Sequence, residues 1–372
     1  MRLFFWISVF FLFWTYFGYF IYLKVRNGFT NKPVRSNPIS PQVSLIVTVY
    51  NEESHIREKI ENCLSVHYPS QLREIIFVSD GSTDRTNEII TSYADNGITL
   101  LTMNERRGKD YSQGEGVKIA KGEIIIFTDA TTFLEENALE EIVSAFADDD
   151  VGCVSGNDKT VGESGEGAYV KYEMALRELE SSLGSVVVVS GCFFAIRKSL
   201  CQDWYPGLTS DFYLPIMTHI QGQRVVQQSS AIGSYNVTQD SAAEFKRKVR
   251  TVVNGFDVLA TFWQILNPFV YGHFAFQMFS HKLCRWLVPY FLITLFLSNT
   301  FLVSLGSIYA VTLFGQIVMY LLALIGHLSP TGAKHSIVRI PLFFVMVNLS
   351  ILAAWTRAFS GRSETMWEPT ER

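Results

Sequence analysis

The chain has 372 residues, of which 48% are hydrophobic, 14% aromatic and only 18% charged. It is too long for one small domain and too apolar for an ordinary soluble enzyme, so part of it belongs in lipid. A formal net charge of −4 gives no case for a nucleic-acid partner.

Leu3 to Leu23 carries no charged side chain and is rich in Phe, Trp and Tyr, about the length needed to cross the hydrocarbon core. The run is long for a cleaved leader and no small-x-small site follows it. Residues 1–24 are therefore expected to form an N-terminal transmembrane helix. The linker 25–40 holds Lys24's successors Arg26, Lys32 and Arg35, against only Arg2 and the amino terminus ahead of the span. Positive loops stay in the cytoplasm, which puts the central region on the cytosolic side of a multi-pass cell-membrane protein.

From about residue 41 to 260 the pattern changes to apolar runs of strand length alternating with helical stretches. VSLIVTVY (43–50), REIIFVSD (73–80), ITLLTM (98–103) and EIIIFTD (123–129) read as strands. Glu53–Val66, Thr83–Ala94, Tyr111–Ala120 and Leu134–Phe146 read as the helices between or after them. Strands apolar on both faces and joined by helices predict an α/β fold with a mostly parallel sheet. Ligands of such sheets bind beyond the carboxyl ends of the strands. Tyr50, Asn51 and Glu52 end the first strand, Asp80 the second and Asp129 the fourth. Each acid alone also suits a turn or a helix cap; three such ends in one sheet favour a shared ligand.

Residues 261–285 suit interfacial helices broken at Pro268, followed by HKLCRW (281–286), where His281, Lys282, Arg285 and Trp286 are placed for headgroup contacts. Anchoring is the plain reading of that segment and a lipid-phosphate acceptor site the sharper one. Trp286 to Ala333 has no Asp, Glu, Lys or Arg, enough for two spans turning near Gly306 or Ser307. Ile340 to Trp355 is read as a third C-terminal span, so transmembrane helices occupy 286–357 and a tail 358–372. The five cysteines lack any CxxC pair and read as reduced thiols. The Asn236–Thr238 sequon would then stay unmodified. Gly114, Gly116, Ala120 and Gly122 imitate a dinucleotide fingerprint, but no strand enters that turn. The seven histidines show no metal spacing.

VTVYNEE (47–53), VSDGSTDRT (78–86), RRGKDYSQGEG (106–116) and IIIFTDATTF (124–133), followed by GCFFAIRK (191–198) and TSDFYLPI (209–216), resemble the inverting family 2 glycosyltransferases of GT-A fold. The likeness covers nearly the whole region between the spans. It implies that Glu52 and Asp80 hold the nucleotide base and ribose of a nucleotide-sugar donor, commonly a uridine one, with Tyr50 stacked on the base. Lys109 matches the lysine that meets the donor diphosphate, where an ammonium acts as a point charge. Asp129 occupies the first acid of the family's DxD, which binds a divalent cation, Mg2+ or Mn2+; the second acid is Thr131 here, a weaker ligand. Asp211 matches the catalytic base, preceded by Ser210 where the family often has a second acid. VVVVSG (186–191) reads as a buried strand meeting a glycine, with Ser190 and Gly191 as acceptor contacts. EFKRKVRTVVNG (244–255) sits where processive synthases carry a Q/RxxRW motif; Arg247 and Arg250 keep the spacing and are assigned diphosphate or lipid contact, but Thr251 replaces the tryptophan.

The expected protein is a membrane-anchored, metal-dependent hexosyl- or N-acetylhexosaminyl-transferase acting on a lipid-linked or glycan acceptor at the cytosolic membrane face. A processive synthase that translocates its polymer, and a catalytically inactive GT-A scaffold, are the alternatives.

Overall fold

The structure is a computed structural model and describes residues 1–162, 165–236, 240–329, 332 and 335–360. Thr238 of the sequon and residues 361–372 of the tail lie outside the described residues.

Eight strands form one sheet: β1 Val43–Val49, β2 Arg73–Ser79, β3 Ile98–Thr102, β4 Ile124–Asp129, β5 Phe133–Leu134, β6 Val151–Val161, β7 Phe193–Arg197 and β8 Arg224–Asn236. Their spatial order is β3-β2-β1-β4-β7-β6-β8-β5. The first four, those visible as apolar runs, pair in parallel. β7 runs antiparallel to both β4 and β6, while β6 and β8 pair in parallel. Side chains alternate between two cores as the pleat requires. Leu45, Val47, Val49 and Phe77 face the helices Ile56–Ser65 and Ala138–Ser144. Ile46, Ile76, Val78 and Phe127 face a second core that reaches Phe274, Met278, Trp286 and Ile351 of the membrane helices. The sheet thus reaches these helices through the intervening helices Ser210–Ile220 and Ser241–Thr261, whose Phe212 and Phe256 pack on Trp286.

Two local expectations change. Phe133 and Leu134 do not open a helix: they pair with Ser234 and Gly233 as β5, and the helix starts only at Ala138. Val186–Val189 is buried but joins no ladder. It threads as irregular chain, with Val186 N–H donating to Val225 O at 2.8 Å and Val189 N–H to Asp211 O at 3.0 Å. An apolar run shows burial, and burial alone does not separate a strand from a packed loop.

Four helices are long and apolar enough to cross a membrane: Arg2–Asn27, Pro268–Leu305, Ser307–Leu328 and Ser336–Phe359. Pro268 separates the short helical turn Trp263–Leu266 from the helix that it opens, with Asn267 accepting from Phe269 N–H as cap. The kink falls at Gly272, whose φ of 51° suits glycine. From there the helix continues through a π-turn at Phe279–Leu283 into Cys284–Leu302. The first span stacks on the second through Phe11 and Phe291, 4.5 Å apart. The helix Gly165–Leu183 ties the sheet domain to the spans: Tyr172 Oη donates to Tyr16 O at 3.1 Å and Tyr19 Oη to Glu180 Oε1 at 2.7 Å.

Candidate active site

The carboxyl ends of β1 and β4 open into a cleft of about 400 Å³. Asn51, after β1, takes the left-handed conformation (φ 51°) that asparagine tolerates. Its amide oxygen accepts from Thr83 N–H at 2.8 Å and its own N–H donates to Ser82 Oγ at 3.1 Å. That turn brings Glu52, 4% exposed, to the cleft wall.

Asp80, at the end of β2, stands behind the cleft and not in its lining. Its carboxylate accepts from Arg107 N–H at 2.7 Å, Gly108 N–H at 2.8 Å and Ser112 Oγ at 3.1 Å. It therefore holds the turn that starts the helix Lys109–Ile119. Gly108 has φ 96°, open only to glycine at low cost. From this fixed start Lys109 Nζ reaches Asp129 Oδ1 at 2.5 Å and Gly191 O at 3.0 Å. Burial works to lower the Lys109 pKa, but Asp129 beside it, with Asp211 farther off, outweighs burial and holds it above the ordinary lysine range. The Tyr50 ring is covered by the Arg106 guanidinium, 3.9 Å from its centre, and lies outside the lining.

Asp129 ends β4, and Thr131 lines the same cleft. Beneath the turn, fully buried Lys59 donates to Thr128 Oγ1 at 3.1 Å and to Thr132 O. Among the described residues no group of three His, Cys, Asp or Glu side chains is spaced for a metal ion. One carboxylate with a neighbouring hydroxyl fits a hard cation that takes its other ligands from phosphate and water. It does not fit a preformed protein cage.

Asp211 lies in the first turn of the helix Ser210–Ile220, whose N-cap is Thr209, so capping does not occupy it. Thr209 Oγ1 donates to its Oδ1 at 2.5 Å. Its Oδ2 lies where a Cβ on Gly191 would come within 2.8 Å, so the glycine makes room for the carboxylate itself. Ser190, beside it, is fully buried: its hydroxyl donates to Asp158 Oδ1 at 2.5 Å and accepts from Cys192 and Phe193 N–H. Ser190 thus shapes the Gly191 turn and is not in the cleft lining.

Several cleft residues carry no strand-end signal. Asp110 Oδ1 accepts from Ser210 N–H at 3.0 Å and so fixes the helix that bears Asp211. Burial pushes its carboxyl up to about 6, against the Ser210 hydrogen bond and Lys109. Asp158, Glu173 and Arg177 line the cleft toward the membrane, with His281, Lys282 and Arg285. His281 is fully buried and bridges Glu180 Oε1 and Glu173 Oε1, each at 2.8 Å; Arg285 Nη1 donates to Glu173 Oε2 at 2.6 Å. Burial pushes Glu173 up, but Arg285, His281 and Arg177 outweigh it and hold its carboxyl well below the usual range. Arg247, Arg250 and Thr251 line the same end, and Arg247 Nε donates to Glu244 Oε2 at 2.8 Å. Of these the sequence singles out His281, Lys282, Arg285, Arg247 and Arg250 as lipid or phosphate contacts, whereas Asp110, Asp158, Glu173 and Arg177 carry no signal in it. The five cysteines are free thiols.

Comparison with known proteins agrees with this geometry. The family profile described as Glycosyl transferase family 2 matches residues 44–204. The poly-beta-1,6-N-acetyl-D-glucosamine synthase of Staphylococcus aureus (strain COL) is 26% identical over 254 residues, covering 65% of this chain and 61% of the relative. The synthase of the same description from Staphylococcus epidermidis is 26% identical over 238 residues, covering 60% of this chain and 57% of that one. The alignment therefore spans less than two thirds of either relative. Among solved structures, a mannosyltransferase from Pyrobaculum calidifontis in complex with GDP-Man and Mn2+ superposes with a TM-score of 0.75 at 20% identity, covering 96% of this chain and 99% of that one. Residues 44–204 thus match the glycosyl transferase family 2 profile, on a GT-A fold joined to four helices long and apolar enough to span a membrane.

Proposed function

We propose that the protein is a membrane-anchored inverting glycosyltransferase. It moves a sugar from a nucleoside-diphosphate donor, a UDP-sugar as the family resemblance implies, to a lipid-linked or glycan acceptor at the cytosolic membrane face. The observation that carries this reading is the convergence of Glu52, Lys109, Asp129 and Asp211 on one cleft. Glu52 lies on the donor side and binds the nucleoside. Lys109 stays charged and faces the diphosphate, where a fixed cation in a partly dehydrated site stabilises the negative charge that grows as the leaving group departs. Asp211, oriented by Thr209 and given room by Gly191, takes the acceptor hydroxyl proton. As it does so, the acceptor oxygen bonds to the anomeric carbon and the bond from that carbon to phosphate oxygen breaks. A divalent cation, when bound, would be held by Asp129 and Thr131 and would supply further positive charge to the diphosphate. Asp80 serves by holding the Gly108 turn, and Tyr50 with Arg106 flanks the nucleoside end.

The test is release of nucleoside diphosphate from a panel of nucleotide sugars, with and without Mg2+ or Mn2+, by purified protein in lipid. Asp211→Asn should keep donor binding and lower turnover by about 10²–10⁴-fold. Undiminished turnover would remove Asp211 as base. No release from any donor would leave the inactive-scaffold reading standing. A processive synthase is the second reading, favoured by the description of the relatives; long polymer from donor alone, against a single added sugar, separates the two.

A further inference from the structure

The end of the cleft beyond Asp211 is rich in cations, and most of them are neutralised in place. Arg247 and Lys248 pair with Glu244, Arg285 pairs with Glu173, and Arg177 lies 3.7 Å from Asp158. Lys282 differs. Among the described residues no hydrogen bond or ion pair holds its ammonium, which lies 5.2 Å from the centre of the Phe212 ring, next in sequence to Asp211. A partly buried ammonium with no carboxylate in hydrogen-bond or ion-pair contact is costly unless an anion compensates it. Snorkelling to headgroups does not account for it, because Lys282 lines the cleft. It also sits in the π-turn Phe279–Leu283, an irregularity of a kind found at functional sites. In that one turn His281 is directed to Glu173 and Glu180 while Lys282 faces Phe212.

Position selects the anion. Asp129 and Lys109 mark where the donor diphosphate lies, and inversion requires the acceptor to approach from the opposite side. Lys109 Nζ is held on Asp129, whereas Lys282 Nζ lies over the ring of Phe212, the residue that follows Asp211. Lys282 therefore stands beside the residue read as the base and not at the Lys109–Asp129 pair, which puts it on the acceptor side. The walls there are Tyr16 of the first span with Val347, Ser350 and Ile351 of the last, a mostly apolar lining next to a cation.

We propose that Lys282 seats the phosphate of a lipid-phosphate-linked acceptor, whose chain runs between the first and last spans and whose sugar hydroxyl reaches Asp211. This rests on the glycosyl-transfer reading and adds the acceptor's chemistry to it. The experiment uses the full chain in detergent with farnesyl phosphate, farnesol and inorganic phosphate as probes, read by the rise in thermal unfolding midpoint. Farnesyl phosphate should stabilise the protein at concentrations where the other two do not. Lys282→Met should weaken that affinity about tenfold or more, the worth of one charge-assisted hydrogen bond, and Lys282→Arg should retain it. Equal affinity of Lys282→Met and the unchanged protein for farnesyl phosphate would overturn the proposal, as would farnesol or inorganic phosphate acting as well as farnesyl phosphate. If Lys282→Met does not fold, the three-probe comparison on the unchanged protein and Lys282→Arg decides. No donor or turnover enters this measurement, so its failure is separate from a failure of the transferase reading.

Discussion

The two ends of the cleft are built in different ways. At the donor end, Glu52, Lys109 and Asp129 hang from the ends of parallel strands or from the helix that follows one, all within about eighty residues of chain. At the membrane end, Asp158, Glu173, Arg177, Arg247, His281 and Arg285 come from four separate elements and are held largely by one another. Backbone places the first set; mutual charge places the second. Damage at the donor end should therefore show as lost chemistry in an intact fold, and damage at the membrane end as lost structure that takes the chemistry with it.

Lys109→Met should break the donor end most severely after Asp211→Asn. Turnover should fall by about 10²–10³-fold, the usual loss when one preorganised charge is removed, with unchanged helix content by circular dichroism; a molten domain would instead make Lys109 a structural ion-pair partner of Asp129. Glu173→Ala should show the opposite behaviour. It leaves Arg285 buried without its carboxylate and His281 with Glu180 alone, at a cost of about 3–5 kcal/mol, so the unfolding midpoint should drop sharply. An unshifted midpoint would show that the network does not hold this end together. Gly191→Ala sharpens the boundary between the two ends, because its new Cβ would meet Asp211 Oδ2 at 2.8 Å. A displaced base should cost up to about 10²-fold in turnover with donor affinity kept, and undiminished turnover would mean the carboxylate has room to move.

Asp110 gives the smallest and most specific effect. Its folded-state carboxyl is raised to about 6 by burial, so the folded protein binds that proton more tightly than the unfolded chain. Its contribution to stability is therefore greatest in acid and is lost as pH rises from the ordinary carboxylate range through about 6. Asp110→Asn should flatten the stability profile over that window. Melting curves from pH 4 to 7 that keep the same slope in the variant would exclude Asp110 as its source.

The sheet was legible where a strand is apolar on both faces, and the four parallel strands stand where their runs stand in sequence. β6 and β8 were not, because half their length is intermediate or exposed and no sustained apolar run marks them. Val186–Val189 misled in the other direction, apolar through burial without pairing. At the site, acids following apolar strands were visible because topology fixes what lies there. The resemblance gives Ser190 and Asp80 contacts with ligands, whereas here they bond Asp158 and the Gly108 turn and neither lines the cleft. A residue's type does not reveal which hydrogen bonds its neighbours have already claimed.

Sequence alone marked the long apolar helices, the α/β region between them and the acids that end β1 and β4, because hydrophobic periodicity and strand termini are local properties of the chain. Tertiary structure alone decided the membrane end of the cleft. Glu173 and Arg285 are over a hundred residues apart, and only the packing of the Gly165–Leu183 helix on the spans brings their charges within 2.6 Å. The same packing leaves Lys282 facing the cleft with no ion pair to a carboxylate among the described residues. Charge complementarity across such distances has no local signature, since any acid is a possible partner for any base until the chain has folded.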